Sequence, residues 1–437
     1  MKKLLYLSIA VLLFSCKTKK AGTADDSPAM NALAEKYVRL GLDIGQYDEV
    51  FVDAYYGPDS LKPTAPKQAS FPKDSFLTSI NDLLQQANNV AASATNDTLK
   101  KRATWIAGQL RAFDRRVRIF SGENPKFDEE SKDLFGVVAP SYPESHFQKL
   151  LKEFETLLPG KGAVSDRFQQ LANRFIIPKD KLDTVFKVAI AECRKRTLEH
   201  LQLPASESFK LEFVTDKPWS GYNWYKGNYQ SLIQVNTDLN IFIDRVIDVG
   251  SHESYPGHHV YNMLLEKNLY RDKGWVEISM YPLFSPQSLI AEGSANYGID
   301  VVLPGTEKNR LAKEVLLPLA GLDTTGLDLY FTALGVKSKL NYVRNEVARA
   351  LLDSTMTEEK AVQWLMQYGL SNEETAKKSI RFIRANRSYV INYNYGQDLV
   401  AQYIEAKGGS QSNPAKRWEL FEWILKNPIT PDELLAK

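Results

Sequence analysis

Sulfur and histidine are both scarce in this chain. Of 437 residues two are cysteine, Cys16 and Cys193, and five are histidine. A metal held here cannot rely on thiolates. Charge of either sign is also not in excess: formal net charge is +2. That argues against the basic surplus by which proteins grip nucleic acid, so no nucleic-acid partner is expected. The apolar run Leu4–Phe14 has only eleven residues, too few to span a bilayer as a helix.

What that run does fit is a secretory signal. Lys2 and Lys3 precede it, and it ends in "LFSC". A small residue before Cys16 resembles the lipobox of bacterial lipoproteins, in which the cysteine is lipidated and becomes the first mature residue. Residues 1–15 are therefore expected to be a lipoprotein signal peptide. The membrane partner is expected to be reached through Cys16, in the cell envelope, facing outer membrane or periplasm. Removal of residues 1–15 takes two of the 55 basic residues and leaves 53 against 53 acidic ones. Attachment then depends on lipid, not on a polybasic face. Residues 16–28 are small and polar and read as a tether. With Cys16 acylated no intramolecular disulfide can form. Cys193 shares a helical stripe with Leu182, Phe186, Ala189, Thr197 and Leu201, so it reads as a buried small hydrophobe.

From residue 29 to 437 helical periodicity dominates, and the spacing predicts one mainly α domain with a central cleft. Residues 178–202 and 338–353 each carry an apolar stripe, the second through Leu340, Val343, Val347 and Leu351. "SNEE" at 371–374 predicts a capping box with Ser371 as N-cap. Gly408 and Gly409 end a later helix. One stretch, 219–236, alternates instead and predicts a β-hairpin turning at Lys226–Asn228. Tyr229, Ser231, Ile233 and Val235 share one of its faces.

Three of the five histidines fall in "GSHESYPGHHVY", residues 250–261. The run from Asp238 to Leu265 reads as a helix capped by Thr237 or Asp238. Two zinc-binding histidines on a helix usually sit four apart, one turn along the same face. His258 lies six residues past His252, rotated to about 240° on an ideal helix. His259 lies seven past, back on the face but with a rise of roughly 10.5 Å. Pro256 and Gly257 intervene, and the proline ring clashes with the carbonyl of His252. A bulge there would bring His258 round, so His258 is the favoured second ligand and His259 the alternative. Glu253, beside His252, is placed to act as general base. Glu292 in "IAEGSANYGID" is the candidate third ligand, and Asn296, one turn on, could orient a ligand imidazole. Gly293, Ser294 and Ala295 would let that helix pack closely on another. Imidazole and carboxylate donors without sulfur point to one Zn²⁺ ion.

"HESYPGHH", "AEGSANYG" and "YNYGQDLVAQYIEAKGG" together resemble a bacterial family described as domain of unknown function 885, many of them lipoproteins, grouped with the gluzincin-type zinc metallopeptidases. The resemblance implies that fold, with a small sheet beside the metal helix. It implies His258, the histidine after glycine, as ligand, and roles for Gly396, Gln397 and Tyr403. Tyr395 stands where the family usually has proline, and Ser294 and Ala295 where it has aromatics. The implied activity is zinc-dependent hydrolysis of a peptide substrate. Tyr403, then Tyr395, are the candidate oxyanion donors. Ile233, Val235 and Gln397 are the candidate substrate contacts, the first two by strand addition at the hairpin. The alternatives are an amidase acting on a cell-wall or other non-peptide amide, and a lipid-anchored binding or scaffold protein without catalysis.

Overall fold

The computed structural model describes residues 28–436. The expected leader, acylation site and most of the expected tether fall on residues 1–27, outside those described, and Pro28, expected to end the tether, already opens a helix, Pro28–Gly45. The described chain is mainly α, 65% helix and 8% strand. Buried side chains from Met30 to Leu434 join one hydrophobic cluster. No described helix is long and apolar enough to cross a membrane.

Among the described residues five strands form two small sheets. β1 (Val52–Tyr55) pairs antiparallel with β5 (Met280–Pro282). The other sheet has the order β2 (Ser208–Val214), β4 (Gln230–Asn236), β3 (Gly221–Gly227). The hairpin is therefore real, but its turn is Asn228–Tyr229, both in the left-handed region at φ 53° and 62°. Tyr229 belongs to that turn and not to the strand face. The buried Glu266 carboxylate accepts from the amides of Asn228 (3.0 Å) and Tyr229 (3.3 Å) and from the Tyr225 hydroxyl. Those bonds hold a tyrosine in a backbone conformation it would otherwise avoid.

The hairpin has a further partner in β2. This strand runs parallel to β4, so β4 is the central strand, with neighbours on both edges. Ile233 and Val235 are buried there. A peptide cannot add to a strand whose two edges are taken. The expected strand-addition role of Ile233 and Val235 is thereby corrected: they are core.

Eight helices position the site and its surroundings: α1 (Leu182–Leu198), α2 (Ile243–Glu253), α3 (His258–Leu265), α4 (Pro286–Val302), α5 (Leu327–Lys339), α6 (Tyr342–Leu352), α7 (Glu373–Asn386) and α8 (Ile391–Ala406). α1 buries its predicted stripe, Cys193 included. The stripe at 338–353 is buried too, but a break at Leu340–Asn341 divides it between α5 and α6. The cap of α7 is Asn372, whose side chain accepts from the Thr375 amide at 2.8 Å. Ser371 lies one residue outside, displaced by an equally strong capping residue. α2 begins five residues later than the Asp238 start, with Phe242 in the cap position.

α4 and α8 pack backbone against backbone. A Cβ on Gly293 would fall 2.4 Å from the Gly396 carbonyl, so only glycine allows the contact. The small residues after Glu292 thus do what their size suggested.

Candidate metal centre

Helix geometry fails between His252 and His258, and the way it fails builds the site. α2 ends at Glu253. Residues Ser254–Gly257 are irregular, and α3 starts at His258. The expected bulge within one helix is corrected to a full break: Pro256 cannot continue the hydrogen-bond ladder. Gly257 folds back so closely that a Cβ there would lie 1.9 Å from the His252 carbonyl oxygen. The two helices are thereby set independently, and His258 no longer has to obey the α2 repeat.

Its ring comes to 4.6 Å from that of His252, centroid to centroid, at 90°. Glu292 on α4 completes the group. Its Oε2 lies 3.1 Å from His252 Nε2 and 3.6 Å from His258 Nε2. One ligand atom from each residue lies within 4.8 Å of the others. Donors around a tetrahedral zinc are separated by about 3.3 Å, so the spacing suits that ion.

The hydrogen bonds fit as well. Glu292 Oε2 is buried and, though near both imidazoles, meets no hydrogen-bond geometry. The other carboxylate oxygen accepts from Tyr389 Oη at 2.8 Å. His252 Nδ1 lies 2.9 Å from Asn296 Oδ1, an acceptor, so Nδ1 carries the proton and Nε2 keeps a free lone pair. Asn296 is itself fixed by donating to the Tyr393 carbonyl at 2.7 Å. Three ligand atoms converge, and the far sides of two of their residues, His252 and Glu292, are anchored, as is usual around a bound cation. Burial pushes the Glu292 carboxyl upward, but His258 and His252 outweigh it and hold it well below the usual range. Burial pulls His258 down, while Glu292 outweighs that and raises it to about 9. A cation bound among these groups would replace the protons that this pairing attracts.

His259 points elsewhere. It is fully buried, with Nδ1 2.8 Å from Ser231 Oγ and Nε2 3.0 Å from Glu207 Oε2. Both ring nitrogens are in use, so it has nothing to offer an ion.

Glu253 is buried against β3, where Gly221 makes room: a Cβ there would sit 3.0 Å from Glu253 Oε1. Burial raises its carboxyl above the usual range, with His252 and His258 pulling the other way. A carboxylate tuned upward suits a base working near neutral pH.

Tyr403 and Tyr395 do not reach the triad. Tyr403 is two turns beyond Gly396 and stacks on Trp423 at 5.8 Å and 14°, with Lys407 over its ring. Tyr395 is two residues from Tyr393, about 200° round the helix, and its charged neighbour is Asp398. Gln397 is half-buried and makes no hydrogen bond to the triad among the described residues.

Four other residues form the walls. Tyr389 and Tyr393, stacked edge to face at 5.8 Å, line one side. Burial and then Glu292 push the Tyr393 hydroxyl well above its ordinary range; Glu253 and Asp53 add to this and Arg344 opposes it. Asp53 on β1 accepts a hydrogen bond from the Tyr222 hydroxyl of β3. Burial raises Asp53 to about 6, against the Tyr222 bond and the His258 charge. The four-residue spacing of Tyr389 and Tyr393 is a readable signal of a shared helical face. For Asp53 no local signal exists, since its partner lies 169 residues away. A separate cavity of about 320 Å³, lined by Arg196, His200 and Trp418 among others, includes none of these residues.

No family model and no curated protein matches the chain. Among solved structures, a protein described as a lipoprotein from Colwellia psychrerythraea is similar, with TM-score 0.51 and 16% identity over 82% of this chain. The chain spans 65% of that protein's length. A lipoprotein of unknown function from Shewanella oneidensis gives TM-score 0.47 and 13% identity, covering 83% of this chain and 70% of that one. An M32 carboxypeptidase from Deinococcus radiodurans R1 gives 0.39 and 11%, covering 93% and 94%. At these identities only the likeness of fold to the first is informative.

Proposed function

We propose that the protein is a zinc-dependent hydrolase of peptide bonds, anchored in the cell envelope through acylated Cys16 and akin to the domain of unknown function 885 family that its motifs resemble. The observation that carries the reading is the convergence of His252, His258 and Glu292 beside a buried Glu253. A zinc ion in that ligand set would supply Lewis acidity to a scissile carbonyl and acidify water. Glu253 takes the proton of the attacking water and delivers it to the leaving amine. Tyr389 and Asn296 keep Glu292 and His252 aimed. Tyr393, whose hydroxyl makes no hydrogen bond among the described residues, replaces Tyr403 and Tyr395 as donor to the developing oxyanion.

The test compares zinc-loaded wild type with Glu253→Gln on a peptide library, reading released amines and bound metal. Zinc should be retained and turnover should fall by roughly two to three orders of magnitude. Equal turnover in the two proteins removes Glu253 from the chemistry. Absence of peptide turnover in both favours the binding-protein alternative.

A further inference from the structure

Arg245, Lys337 and Arg344 are basic side chains outside the ion-pair network, and two of them, Lys337 and Arg344, are half-buried. Among the described residues none of the three has a carboxylate within 4.0 Å, although ion pairs are abundant elsewhere. Arg344 on α6 is half-buried. Its Nε donates to Ser379 Oγ at 3.2 Å and its guanidinium lies 5.7 Å from the Phe382 ring, which leaves the two terminal nitrogens unpaired. Lys337 on α5 lies over Phe168 at 4.9 Å. Arg245, exposed on α2, makes one long bond to Ser220 Oγ, 3.4 Å.

Arg344 and Arg245 each connect to the metal centre through a chain of contacts. Phe382 packs on Tyr393 at 6.1 Å, Tyr393 on Tyr389, and Tyr389 bonds to Glu292. Ser220, the partner of Arg245, precedes Gly221, against which Glu253 lies. Arg245 opposes the charge of both Lys337 and Arg344. Burial lowers both Lys337 and Arg344, and Arg245 lowers them further, with only Asp244 and the Tyr393 hydroxyl acting in the other direction. Asp244 is already engaged, accepting from Tyr330 Oη at 2.6 Å. A half-buried guanidinium with free donors and a like-charged neighbour is costly unless an anion joins it.

We propose that Arg344, assisted by Arg245, forms a carboxylate-binding subsite beside the Glu253–Glu292 centre, and that substrates are anchored there by an anionic group. The fork of Arg344 suits a carboxylate in bidentate fashion. The anion is either the substrate's C-terminal carboxylate or an acidic side chain near the cleaved bond. The subsite rests on the hydrolase reading only in that its ligand is a substrate.

Two measurements test it on the zinc-loaded protein. The first compares cleavage of one peptide with a free C-terminus, the same peptide amidated, and the amidated peptide carrying an added glutamate. Wild type should prefer an anionic form, and whichever of the two is favoured identifies the source of the carboxylate. Arg344→Met should raise KM for that form by about tenfold or more, with a smaller change in kcat and little change for the neutral peptide. Arg344→Lys should recover part of the loss. Arg245→Gln, at an exposed position, should raise KM by about threefold. The second measurement needs no turnover: calorimetric titration with 3-phenylpropionate and with 3-phenylpropanol. Wild type should bind the acid more tightly, and Arg344→Met should lose that margin. Equal binding of acid and alcohol overturns the subsite, as does an undiminished margin in both Arg344→Met and Arg245→Gln. If no peptide is cleaved, the hydrolase reading fails while the titration still decides the subsite.

Discussion

Two neighbouring histidines, His258 and His259, each meet a buried carboxylate, and the two clusters are opposites. Around His259, Glu207 accepts from the imidazole at 3.0 Å, from the Tyr255 hydroxyl and from Arg194, while Ser231 takes the other ring nitrogen. Every polar group there has a partner. Around His258, Glu292 Oε2 and two imidazole nitrogens face one another, Oε2 without a hydrogen bond, while the far sides of His252 and Glu292 are fixed. A saturated network fastens the sheet to α3; a converging, unsaturated one is built to receive something. Adjacent residues of one type thus take a structural and a functional role according to which of their lone pairs are already spent.

Substitutions can sharpen that contrast. The largest effect should come from His258→Ala: bound zinc, read by metal analysis, should fall to a small fraction of one ion per chain, with turnover reduced roughly a thousandfold. His259→Ala should do the reverse. Zinc should stay, while stability in urea should fall by about 3 kcal/mol because Glu207 and Ser231 lose their buried partner. Loss of zinc in both variants to the same degree would erase the distinction. Asn296→Ala should weaken zinc affinity by about 10- to 100-fold in a competition with a chelator, since His252 keeps its place but loses its orientation. The smallest effect concerns acid. Burial raises the Glu207 carboxyl, but His259, Tyr255 and Arg194 outweigh that and bring it from 4.5 to about 2. A depressed folded value contributes stability above the unfolded value and loses it as pH falls through the folded one. Acid unfolding of wild type should therefore steepen between those two values, and Glu207→Gln should flatten that limb.

Much of the helical architecture was readable because its signals are local. The stripe of α1 and the glycine after α8 need only neighbouring residues to be interpreted. The same holds for His252, Glu253 and the interruption at Pro256–Gly257. The elements that escape such reading are those defined by partners distant in sequence. β2 has an alternating pattern, but only β4 makes it a strand, and its arrival removes the free edge expected at Ile233 and Val235. Tyr403 looks like Tyr393 in sequence; about three helical turns and the Trp423 ring separate their roles.

The amino-acid sequence by itself settled that this chain is mainly helical and that its histidines concentrate where proline and glycine interrupt a helix, because periodicity and backbone sterics act over a few residues. Only the tertiary structure decided that His258 and not His259 faces Glu292, and that Asp53, Tyr222, Tyr389 and Tyr393 surround them. Those relations depend on directions set by separately packed helices and strands, and no local rule carries them.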